Sequence, residues 1–101
     1  MPDESELSVC FAQRIAAWFA ETGRSEVRDA VLLRQMNMAI ALAASRWNEF
    51  SALDGAPDHM HDWLDEVERR ARARKADARV DAIRRAREWF DECLAEWRAH
   101  A

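Results

Sequence analysis

Glycine and proline are nearly absent from this chain, with two of each in 101 residues. So few breakers exclude collagen-like repeats, low-complexity disorder and most all-β architectures, which need frequent turns. Tyrosine is missing altogether. The longest uncharged run, Gln35 to Ser45, is eleven residues, far short of the ~20 that span a bilayer. The opening Met1-Pro2-Asp3-Glu4-Ser5-Glu6 is acidic with no apolar stretch behind it, which argues against a signal peptide.

Catalytic and cofactor signatures are missing too. There is no GxxxxGK[ST], GxGxxG, HExxH, GxSxG or pair of CxxC motifs, and no paired ExxH motifs for a carboxylate di-metal site. The nearest approach is Asp58-His59-Met60-His61-Asp62. Imidazoles and carboxylates suit zinc, nickel or copper, but on a helix His59 and His61 point roughly 200° apart. Polar residues opening a helix need no metal to explain them. The expectation is no enzyme, no cofactor and no metal site.

Half of the residues are apolar, a third are charged, and the formal charge is -4. Five Trp and four Phe supply bulk for one core, so residues 1–101 read as a single helical domain. Cys10 and Cys93 lie far apart within helical patterns, which predicts two buried free thiols in a reducing cytoplasm.

Leu7, Phe11, Ile15 and Trp18 recur at helical spacing and predict a helix over 5–22. Gly23 suits a left-handed C′ position, and Ser25 the next N-cap. A second helix is expected over 26–53, on a ladder of Leu32, Met36, Ala39 or Ile40, Ala43, Trp47 and Phe50. Residues 36–44 are apolar nearly all the way round, so this helix is either the centre of a bundle or an interface. A helix-turn-helix would use Ser25, Arg28 and Gln35 as base-reading residues, but Val27, Val31, Leu32 and Leu33 leave it little polar face.

Asp54-Gly55-Ala56-Pro57-Asp58 is a turn in which Asp58 caps the next helix. Beyond it nothing breaks the chain, and Met60, Leu64, Val67, Ala71, Ala78, Ala82, Trp89 and Cys93 share one stripe. This favours one helix of ~43 residues and ~65 Å, with a break near 70–78 as the alternative. Acid-to-base pairs at i,i+4 support it: Asp65–Arg69, Glu66–Arg70, Glu68–Arg72 and Asp81–Arg85. The fold class is therefore all-α: a small antiparallel bundle of three helices with a very long C-terminal one, or four if that helix breaks.

Charge falls in blocks. Residues 54–68 hold six acids and no Lys or Arg, and residues 69–87 hold nine bases against two acids. The basic block reads as a solvated helix surface neutralised by its flanking acids in preference to a phosphate-contacting segment. A third use pairs the acid blocks 54–68 and 88–101 with the basic block of another copy. For the whole chain there are two functional readings. In the first, the chain is a non-enzymatic protein that binds other proteins, as an assembly component or inhibitor; by fold-level analogy this resembles accessory proteins of phages or mobile elements. Its candidate interface is Met36, Met38, Ile40, Leu42, Trp63 and Trp97, with a homodimer expected because α-helical apolar surface is left over. In the second, Arg69, Arg70, Arg72, Arg74, Lys75 and Arg79 contact nucleic acid. These bases point in different directions and have no stacking aromatic between Trp63 and Trp89, so protein binding is preferred.

Overall fold

A computed structural model describes residues 4–23 and 30–100. They form four helices: α1 (Glu4–Thr22), α2 (Ala30–Phe50), α3 (Ala56–Ala73) and α4 (Asp77–Ala99). The expected N-cap Ser25, the helix start at Glu26, and Arg28 of the helix-turn-helix reading lie outside the described residues.

Facing pairs fix the topology. Trp18 and Ser8 of α1 meet Asn37 and Trp47 of α2 through indole N–H donors, each 2.9 Å from its acceptor. Arg14 reaches Glu92 and Glu96, and His61 and Asp65 meet Asp91 and Arg87. In each pair of helices one numbering rises as the other falls, so successive helices run antiparallel and α4 returns beside α1. The helices α2 and α4 form the central pair, with α1 and α3 on opposite flanks and, among the described residues, without close backbone approach to each other. One continuous core results, with Phe11, Ile40, Trp47, Met60, Leu64 and Phe90 among its members.

The long C-terminal helix is not continuous, which corrects the preferred expectation. The chain turns at Arg74–Ala76, and the greatest extent of the molecule is 45 Å. No breaker residue makes this turn. The Ala76 N–H donates to Ala71 O (2.9 Å) and the Lys75 N–H to Arg72 O (3.0 Å), while Lys75 takes φ 57°. That is a Schellman motif with lysine where glycine is usual. The shared apolar stripe keeps its phase because α3 and α4 both face the same core. A left-handed lysine costs about 1 kcal/mol relative to glycine. Lys75→Gly is therefore expected to raise stability by up to about 1 kcal/mol in urea denaturation; destabilisation would contradict this turn.

The other helix ends differ in smaller ways. Gly23 does not adopt positive φ; its N–H continues the ladder to Phe19 O (3.0 Å), and an added Cβ would sit 3.2 Å from that same oxygen. Gly55, not Asp58, is the N-cap of α3, at φ 68°. Asp58 sits in the first turn, where its charge complements the helix dipole.

The cysteines are also corrected. Cys10 and Cys93 form a disulfide joining α1 to α4, with Cα atoms 5.8 Å apart, and no free thiol remains. Antiparallel packing of the first and last helices brings together two positions 83 residues apart. Among the described residues, no helix is long and apolar enough to cross a membrane.

Candidate partner-binding groove

Large apolar side chains stay exposed mainly on α2. Val31, Leu32, Met38 and Leu42 are 62%, 47%, 61% and 47% exposed. Val31, Met38 and Leu42 repeat at spacings of seven and four, so they form one stripe. At Met38 and Leu42 this stripe runs into a groove of about 370 Å³ between α2, α3 and the start of α4. Trp63, Val67 and Ala71 of α3 and Ile83 of α4 supply its apolar floor. Arg70, Arg74 and Arg79 line it as well, and no carboxylate does.

The fold thus brings together residues from both candidate sets. Met38, Leu42 and Trp63 share the groove with Arg70, Arg74 and Arg79. Three candidates fall elsewhere. Ile40 is fully buried, so it is a core residue and no interface; its helix turns it inward beside Ala43 and Trp47. Met36 is half-buried against the core. Trp97, also half-buried, lies fourteen residues beyond Ile83, roughly 21 Å along α4. Val67, Ala71 and Ile83 do not stand out as interface residues in the sequence. The antiparallel register of α2 and α3 signals Val67 and Ala71, but Ile83 arrives only through the turn at Arg74–Ala76, the less favoured of the two expectations for this stretch.

The six candidate bases are all exposed but differ in their partners. Arg70 pairs with Glu66 (2.7 Å) and Arg72 with Glu68 (3.0 Å). Among the described residues, Arg69, Arg74, Lys75 and Arg79 make no ion pair. The turn at Arg74–Ala76 sets Arg79 beside Arg70 and Arg74, concentrating positive charge at one end of the groove. Ala76 lines that end too, as an N-cap without a side-chain hydrogen bond.

Several acids of the 54–68 block are engaged within the chain. Arg87 bridges Asp65 (2.6 Å) and Glu68, which also holds Arg72. Burial pushes the Glu68 carboxyl up, but hydrogen bonds and charge from Arg87 and Arg72 outweigh it and hold the group below its ordinary value. A lowered folded pKa gives stability that is full above the free-carboxylate value, about 4.3, and lost as pH falls through the folded value. Unfolding free energy is thus expected to drop as pH falls below about 4.3, with a shallower drop in Glu68→Gln. An unchanged slope in that variant would contradict the assignment.

The histidines go separate ways. His59 stacks on Phe50, while His61 pairs with Asp91 (2.6 Å) and meets the edge of Phe90. No group of three or more His, Cys, Asp or Glu that could hold a metal occurs among the described residues. Family models, curated proteins and solved structures all give no match to this chain, so its functional reading rests on the groove and the residues that build it.

Proposed function

We propose that this chain is a non-enzymatic binding protein whose groove receives an acidic segment of a partner protein. One observation carries the reading: exposed Met38 and Leu42 lead into an apolar floor that is bounded by arginines and lined by no acid. Apolar floors with a charged margin combine desolvation with steering. A homodimer through the α2 stripe is the second reading, favoured by the repeat of Val31, Met38 and Leu42. Pairing between charge blocks of two copies supports it less, because Glu66, Glu68 and Asp65 already serve internal arginines. Nucleic-acid binding through Arg69, Arg74, Lys75 and Arg79 draws on the same free bases but leaves the apolar floor without a use. For the compartment, the disulfide favours an oxidising setting over the cytoplasm expected from composition.

Photo-crosslinking in the native host tests this reading, with the crosslinker at Leu42 and, as a control, at exposed Gln13 on α1. Expected are adducts to an acidic protein at Leu42 only, abolished by Arg74→Glu with Arg79→Glu. Adducts to nucleic acid, to a second copy alone, or equally at both positions would overturn it.

A further inference from the structure

Resting on the proposed protein-binding role, the geometry points to the form of the occupant: an amphipathic helix of about three turns, with an apolar ridge and acidic residues gathered at one end. The groove is polarised along its length. On α3, Trp63, Val67, Arg70 and Arg74 follow at spacings of four, three and four, a single stripe that changes from apolar to basic. From Trp63 to Arg74 this stripe rises roughly 16 Å, about three helical turns. Facing it across the groove, Met38 and Leu42 are one turn apart on α2.

Its walls are therefore antiparallel helices, and the gap between them is apolar at the Trp63 end. A guest helix fits such a gap by laying side chains at i, i+4 and i+7 between the walls. At the other end, Arg74 and Arg79 have no ion-pair partner among the described residues, and Arg70 shares its charge with Glu66. Ala76, the N-cap of α4, lines this same end of the groove. Carboxylates on the guest satisfy these arginines, and their position fixes its direction in the groove. A phosphate backbone has the charge but no ridge for the floor. A short amphiphilic anion has both, but cannot bridge the full length from Trp63 to Arg74 with a charge at only one end and helical periodicity along the rest.

The test uses fluorescein-labelled 14-residue peptides with leucines at i, i+4 and i+7. One carries Glu at one end, a second carries Lys at the same positions, and a third keeps the Glu residues but scrambles the leucine spacing. Binding to the full chain is read by fluorescence anisotropy, with decanoate and a 14-nucleotide single-stranded DNA as competitors. The Glu peptide is expected to bind at least tenfold tighter than the other two, and to weaken as salt rises. Arg74→Glu with Arg79→Glu is expected to invert the Glu/Lys preference, with circular dichroism and melting temperature unchanged. Leu42→Ala, chosen because it adds no charge, is expected to weaken both helical peptides equally. Equal binding of Glu and scrambled peptides, no peptide binding, or complete displacement by decanoate or DNA at lower concentration than by unlabelled Glu peptide would overturn the helical occupant. If the peptides fail while Leu42 still crosslinks an acidic protein in the host, only the helical form of the occupant falls. If both fail, the groove is not a protein site.

Discussion

Phe90→Ala is expected to cost about 3–5 kcal/mol of folding stability, the usual range for a phenylalanine removed from a packed core. Phe90 is fully buried and meets one ring from each of the other helices. Trp47 of α2 lies 4.8 Å from it, Phe11 of α1 5.5 Å, and His61 of α3 5.5 Å, all edge-on. Truncation leaves a cavity at the point where four helices converge, and none of them can collapse into it without drawing away from another neighbour. Domains of this size have only about 5–15 kcal/mol in total, so the variant should sit close to its unfolding threshold. Urea denaturation measures this directly. A cost below about 1 kcal/mol would mean that the four helices do not share this core.

Breaking the Cys10–Cys93 bond should have an effect of similar size. It closes a loop between positions 83 residues apart, and the chain-entropy model assigns such a loop about 4.5 kcal/mol of stabilisation through the unfolded state. Cys10→Ser with Cys93→Ser, or reduction by a dithiol, should lower the urea midpoint accordingly. Helix α1 still docks through Leu7, Phe11 and Ile15, all buried, and through Arg14 on Glu92 and Glu96. Helix content is therefore expected to survive reduction at room temperature. Identical midpoints with and without reductant, on protein shown by mass to be oxidised, would contradict the staple.

Much of the architecture was legible in local pattern. The ladder Leu7–Phe11–Ile15 became the buried face of α1, and the breaker cluster at 54–58 marks the α2–α3 connection. The turn itself falls three residues earlier, at 51–55, with α2 ending at Phe50 and Ala56, Pro57 and Asp58 already opening α3. The Arg74–Ala76 turn was not legible as a preference, since lysine supplies its left-handed residue and the stripe on either side stays in phase. Only tertiary packing explains that choice: a continuous rod would leave Phe90, Cys93 and Leu94 far from α1 and α2, whereas the turn buries all three. The disulfide had no sequence signal, as spacing says nothing about which distant cysteines meet.

The groove was half visible. Surplus apolar surface at Met38 and Leu42 follows from the all-round pattern of 36–44. Arg70 and Arg74 join it through the α2–α3 hairpin, whereas Arg79 joins it only because the turn folds the start of α4 back beside the end of α3. Sets of residues that compete as alternatives along the sequence are thus parts of one surface in space.

The most direct measurement of the central claim is an amide and indole chemical-shift map of the isotope-labelled chain titrated with the Glu-ended helical peptide. The account predicts that perturbations concentrate at Met38, Leu42, Trp63, Val67, Arg74 and Arg79, leaving Gln13 on α1 and Trp97 near the end of α4 unmoved. Shifts confined to α1 or to the region around Trp97, or none at millimolar peptide, would contradict it.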